Sequence, residues 1–423
     1  MLDARYLRTN PEGISDAIAA KNGDPAHFAR FLAADADYRK VLAEVEQLRA
    51  ERTKGSEEVG RRRKAGEDAA ALQAEVKAMG DRLKAAEERL GPLEAAAEEA
   101  LHWIPNLAHP SVPVGDATHN TVVKSWKEPR TFDFPVLPHD ELAPKLGLLE
   151  MARGTAMSGP GFSVLKGAGA RLERALINFF LDVHTGEHGY TEVAAPFLVK
   201  REALFGTGQL PKLEDDMYRT TDDLFLIPTA EVSITNLHRD EILDGAQLPL
   251  HYVGFSPCFR REAGSYGKET KGLTRVHQFM KVEMVRITTP EKSYAEHEQL
   301  LADAEDILRR LDLPYRVLLL ASGDTSFAAA KCYDLEVYAP GADRWLEVSS
   351  CSNFEAFQAR RLKMRYKAEA GAKPEFVHTL NASGLALPRI VIAILENYQT
   401  KDGRVRVPDV LVPYLGGLRE LGG

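Results

Sequence analysis

Between residues 72 and 100, Leu72, Val76, Met79, Leu83, Ala86, Leu90, Leu93, Ala97 and Ala100 recur at alternating steps of four and three. A seam of that period is buried only against another helix, so it constrains the fold more than any other feature of the chain. A second seam precedes it: Phe31, Ala34, Tyr38, Val41, Val45 and Leu48, continuing to Val59, interrupted by Arg52 and Gly55. Between the two, Lys64-Ala65-Gly66-Glu67-Asp68 reads as a turn. The pattern predicts an antiparallel two-helix arm over about residues 27–101, with looser packing near Arg52 and Gly55. Each helix of roughly 35 residues would project ~50 Å. A dimerisation coiled coil or a plain spacer would carry the same seam. Arg61, Arg62, Arg63 and Lys64, however, place four consecutive cations at the predicted tip, where no heptad core needs them. Such a run suits a phosphate backbone, which rewards Lys and Arg through counterion release.

The remaining chain differs in character. A Pro-rich connection runs through Pro105, Pro110, Pro113 and Gly115, and short apolar runs then mix with amphipathic stretches. Tyr252 to Phe255, Val276 to Ile287 and Tyr315 to Leu320 read as strands, and Ala170 to His184 and Glu291 to Leu311 as helices. Strand runs follow one another without intervening helices, which favours an antiparallel sheet and an α+β class. The 423 residues, 44% hydrophobic and 27% charged, suit two or three domains. Disorder and disulfide-scaffold classes fall away on composition. No apolar run approaches the ~20 residues a membrane span needs, and the N-terminus lacks a signal peptide's apolar region. Cys258, Cys332 and Cys351 cannot pair completely and show no CxxC spacing, so a reducing cytoplasm is expected and zinc is not. A net charge of −8 argues against a globally basic nucleic-acid binder but leaves a local basic patch open.

Three segments could carry chemistry. Lys166-Gly167-Ala168-Gly169-Ala170-Arg171 lacks the third glycine of a dinucleotide fingerprint and reads as a glycine-rich entry into a helix. Cys258-Phe259-Arg260-Arg261-Glu262, then Ala263 to Lys268, then Arg275 to Glu283 reads as strand, glycine-rich basic loop, strand. Arginine there suits bidentate capture of phosphate or carboxylate. Asn381 to Arg389 adds another arginine at the start of a helix expected over Ile390 to Tyr398.

Together with His188 to Pro196, these last segments resemble motifs one, two and three of class II aminoacyl-tRNA synthetases, specifically the bacterial seryl-tRNA synthetases. Ile227-Pro228-Thr229-Ala230-Glu231-Val232, Glu347 to Asn353, Phe357-Gln358-Ala359-Arg360-Arg361 and Arg404 to Tyr414 extend the likeness over essentially the whole chain. The resemblance implies a tRNA-binding domain over residues 1–110 and a catalytic domain over 111–423 built on an antiparallel sheet flanked by helices. It implies activation of L-serine with ATP to seryl-adenylate, then transfer to the terminal adenosine of tRNA(Ser), and also of tRNA(Sec). By the same resemblance Arg260 bridges serine carboxylate and α-phosphate. Glu262 reads the adenine amine, Phe279 stacks on the ring beside Val276, and Arg389 holds the γ-phosphate. Glu347 and Ser350 offer oxygens to Mg²⁺. Thr229 and Glu231 lie near the serine ammonium, and Glu283, Asn381 and Ser383 near its hydroxyl. Arg61 to Lys64 touch tRNA, and motif one makes a homodimer. Pro388 stands where many members carry glycine, in a first helical turn that tolerates proline. A ligase that charges a carrier protein is the alternative, and the long basic-tipped arm counts against it.

Overall fold

The computed structural model describes residues 1–263 and 271–422. The chain divides into two compact units, Leu2–Pro105 and Asn106 onward with Met1.

In the first unit, helices α1 (Pro25–Lys64) and α2 (Ala70–His102) pack along the two predicted seams. Asp24 caps α1 by accepting from Ala26 N–H at 2.8 Å, ahead of Pro25 in the first turn. The turn between the helices closes on Gly66 at φ +76° and on Asp68, whose carboxylate accepts from Ala70 N–H at 2.9 Å. Val41, Val45, Leu48, Leu83 and Ala86 form the buried centre of the seam. Arg30–Glu99, Arg49–Glu87 and Arg89–Glu44 pair across it at 3.2, 2.7 and 3.4 Å, all consistent with one antiparallel register. Toward the tip the seam thins as expected: Arg52 is exposed, and Gly55, Val59, Leu72 and Val76 are only half-buried. Gly55 is more than an interruption. A Cβ there would lie 2.7 Å from a Val76 methyl, so the glycine lets the helices approach.

The second unit is built on an eight-stranded sheet. Its strands in chain order are β1 (Thr121–Trp126), β2 (Thr191–Glu192), β3 (Leu250–Phe259), β4 (Gln278–Thr288), β5 (Tyr315–Leu319), β6 (Lys331–Ala339), β7 (Arg344–Asn353) and β8 (His378–Ala386). They lie in the order β1-β5-β6-β7-β8-β4-β3-β2, antiparallel except for the parallel β2–β3 pair. Helices α3 (Ala168–Gly186), α4 (Ser293–Arg310) and α5 (Leu387–Asn397) supply apolar residues to one core with the sheet. The period-two alternation divides the strands cleanly. Val282 and Met284 of β4, Cys351 of β7, and Leu380 and Ala382 of β8 enter that core. Residues adjacent to them, Lys281, Ser350, Ser352, Asn381 and Ser383, line a cavity instead. The predicted elements stand with small boundary shifts. The last helix starts at Leu387 rather than Ile390, which puts Pro388 and Arg389 in its first turn. Among the described residues no helix is long and apolar enough to cross a membrane.

Candidate active site

The cavity holds about 550 Å³ and adjoins a second lobe of about 200 Å³. Thr229, Glu231, Ser350 and Asn381 line the first, and Val276, Phe279 and Arg389 the second. Arg260, Glu262, Glu347 and Ser383 line both. Glu283 completes the group from behind, buried at 0% exposure.

Glu283 organises the larger lobe. Thr229 Oγ1 donates to its Oε2 at 2.9 Å and Asn381 Nδ2 to its Oε1 at 3.0 Å. Lys281 Nζ, on the same face of β4, forms a buried ion pair with it. Ser383 faces Glu283 directly in the β8–β4 register. Thr229 serves two ends at once: its hydroxyl also caps the short helix Ala230–Thr235 by accepting from Glu231 N–H at 3.1 Å. Glu231 follows in that first turn. Burial, then the charge of Glu283, pushes its carboxyl up to about 7.

At the junction of the lobes, Arg260 leaves the end of β3 with its guanidinium 5.2 Å from the Phe279 ring centroid. Its Nε donates to Pro228 O at 3.3 Å, and its backbone is held by His277 through paired bonds of 2.9 and 3.0 Å. Glu262, at φ +52°, forms an ion pair with Arg275. Arg389 Nη1 donates to Glu347 O at 2.7 Å and lies 3.2 Å from its carboxylate. The groups assigned by resemblance to the γ-phosphate and to Mg²⁺ thus stand in direct contact.

Strict alternation would set Glu347 and Ser350, three residues apart, on opposite faces of β7. An irregularity between Glu347 and Ser349 resets the register against β6, and both side chains reach the cavity. Asp334 lies directly across from Ser350. Burial, then the charge of Glu347, pushes its carboxyl well up.

Every described residue assigned to ATP or serine from the sequence comes to this one place. Lys281, Arg275 and Gln358 belong to it too and went unassigned, although each lies within a quoted motif segment. The period-two placement of Lys281 beside Phe279 and Glu283 was the available signal. The glycine-rich loop of motif two falls largely on residues 264–270, outside the described residues. The three cysteines are free and buried, and burial pushes their thiols up.

A mostly antiparallel sheet whose polar face joins an arginine between two lobes to acid and hydroxyl clusters is the arrangement that the resemblance to class II aminoacyl-tRNA synthetases implies, and the class is shown by comparison. Residues 212–398 match the tRNA synthetase class II core domain (G, H, P, S and T), and residues 1–108 the seryl-tRNA synthetase N-terminal domain. A serine–tRNA ligase of Thermomicrobium roseum is 52% identical over all of this chain and 95% of its own length. One of Gemmatimonas aurantiaca is 55% identical over 89% of each chain. The crystal structure of seryl-tRNA synthetase from Pyrococcus horikoshii complexed with ATP superposes with a TM-score of 0.94 at 38% identity, covering 100% of this chain and 99% of that one. The chain belongs to the seryl-tRNA synthetases, and its activity is that of a serine–tRNA ligase.

Proposed function

We propose that the larger lobe takes serine, the smaller lobe takes ATP, and Arg260 joins the two anions where the lobes meet. The observation that carries this is Arg260 lining both lobes, with an acid and hydroxyl cluster on one side and an aromatic ring with a second arginine on the other. Serine's carboxylate oxygen attacks the α-phosphorus, a C–O–P anhydride forms, and the bond to the β-phosphate breaks to release pyrophosphate. The attacking group is already ionised, so the protein contributes position and charge stabilisation. Arg260 neutralises the repulsion between carboxylate and α-phosphate. Glu262 accepts from the adenine amine, Phe279 and Val276 flank the base, and Arg389 holds the γ-phosphate. In the second step the terminal adenosine hydroxyl of tRNA attacks the seryl carbonyl and AMP leaves.

Glu231 faces the serine ammonium beside Thr229, while Glu283, Asn381 and Ser383 face the hydroxyl. A site built to bond a hydroxyl leaves buried polar groups unpaired when alanine enters, and such sites reject the analogue by ~10⁴-fold or more. Glu347 and Ser350 would hold Mg²⁺. They fit it in donor chemistry, being a carboxylate and a hydroxyl oxygen with the buried Asp334 carboxyl directly across from Ser350. Bound there with ATP, the ion would supply charge neutralisation to the phosphates.

The arm binds tRNA through Arg61 to Lys64, with tRNA(Ser) as acceptor and tRNA(Sec) as a second one. The match of residues 1–108 to a seryl-tRNA synthetase N-terminal domain supports a nucleic-acid acceptor over a carrier protein. A cytoplasmic homodimer through motif one completes the reading; exposed Phe197 and Leu198, directly after the motif at 41% and 47%, support the dimer. Pyrophosphate exchange measured with each amino acid in turn, then charging of total tRNA and of purified tRNA(Sec), tests it. Serine alone should support exchange. Exchange with another amino acid in preference, or unaltered charging after removal of residues 27–101, would refute the corresponding part.

A further inference from the structure

Glu231 is gripped from behind. Its Oε1 accepts from Gln358 Nε2 at 2.7 Å. Gln358 is fully buried on the short helix Phe357–Leu362. The same nitrogen donates to Thr207 O at 3.0 Å, and Gln358 Oε1 accepts from the Thr379 hydroxyl at 2.7 Å. This fixes which way the amide points. A flipped amide would set its oxygen against the Thr207 carbonyl, which has no proton to share, and against the Glu231 carboxyl, which has none when ionised. The clamp spans three walls of the cavity. Thr207 lines it, Glu231 lies in the first turn of the helix capped by Thr229, and Thr379 lies on β8 two residues before Asn381.

We propose that Gln358 is a positioning residue for amino-acid recognition: its amide fixes the Glu231 carboxylate turned to the cavity, ready for the substrate ammonium. The proposal rests on the reading of Glu231 given above. Glu283 and Lys281 of β4 and Arg260 at the end of β3 also act on Glu231, while Arg361, on the helix of Gln358, is turned to the carbonyls of Phe205 and Leu210 at 3.0 and 2.8 Å. Burial and then Glu283 raise the Glu231 carboxyl, and the bond from Gln358, with Lys281 and Arg260, opposes them. Removing the amide donor therefore shifts protonation of Glu231 to still higher pH.

The test is Gln358→Met in the full-length protein, read by serine-dependent pyrophosphate exchange across pH. A bond to a charged group is worth enough that serine KM should rise about tenfold or more near neutrality. The acidic limb of kcat/KM for serine should move to higher pH, and ATP KM should stay within about twofold. Well above neutrality the variant should approach the parent, because Glu231 is then ionised in both. A limb that does not move, or equal rises in both KM values, would show a packing role and overturn the proposal. Thr379→Val, which frees the amide to turn, should shift the limb in the same direction and serves if Gln358→Met does not fold. Glu231→Gln separates the two levels. If it leaves serine KM unchanged, the reading of Glu231 falls and the clamp with it. If it raises serine KM while Gln358→Met leaves the limb in place, only the clamp falls.

Discussion

Two acids with unlike duties stand side by side in the larger lobe. Glu283 is fully paired, by Thr229, Asn381 and Lys281. Glu283→Ala would strand Lys281 as a buried cation, at about 3–5 kcal/mol of stability, and so confound folding with binding. Glu283→Gln also removes the charge but keeps the volume and an oxygen that can accept from Lys281, and it should raise serine KM about tenfold or more, with ATP KM changed by less than about threefold in the same exchange assay. Glu231 is the opposite case. Its carboxyl stands at about 7 against an ordinary 4.5, raised by burial and by Glu283. The folded state therefore favours the protonated form. That stability is complete below the ordinary value and is lost as pH rises through 7. Glu231→Gln should consequently stabilise the protein above neutrality by on the order of 3 kcal/mol and add nothing in acid. Denaturant midpoints at the two pH extremes check this, while the same variant loses serine affinity. Arg260, Glu262 and Glu283 were legible because each stands inside a motif with a recognisable order. Gln358 was quoted but not assigned, because its partner Glu231 is 127 residues away and only the fold brings them together.

Among elements, the arm was the most legible, since a heptad seam has one physical solution. Its stability should lie in the centre of the seam. Val45→Ala or Leu83→Ala removes a buried side chain and should cost about 2–4 kcal/mol. Gly60 is helical, and a Cβ there would meet nothing within 4 Å. Gly60→Ala should therefore stabilise α1 by up to about 1 kcal/mol. Hydrogen exchange of α1 and α2 amides in the full chain reads both: protection falls in the first two variants and rises in the third. The role of Gly55 was not legible, because whether a glycine interrupts a seam or admits a close approach depends on the residue opposite, here Val76. The same limit applied to β7. Alternation read from sequence cannot reveal the irregularity before Ser349, and without it Glu347 and Ser350 would face opposite ways.

For the whole molecule, net charge says little about the partner, because the cations that matter are few and placed. Three of the four at the tip have polar partners within the arm. Arg61 and Arg62 both bond Glu58, whose carboxyl is held down at about 2 by those two guanidinium groups, and Arg63 Nη2 donates to Gln73 at 2.5 Å. On the proposed reading of the arm, Glu58 and a tRNA phosphate would compete for the same donors. Replacing Arg61 to Lys64 with alanine should weaken tRNA binding and flatten its salt dependence by roughly 2–4 units of slope, since each phosphate contact contributes about 0.9. Serine activation in the absence of tRNA should not change. Glu58→Gln tests the competition from the other side. It leaves all four cations in place and removes the internal anion, so tRNA affinity should rise at low salt and the salt dependence should steepen. If Glu58→Gln instead weakens binding, the carboxylate is orienting the guanidinium groups for tRNA rather than competing with it, and the tip works by geometry more than by charge.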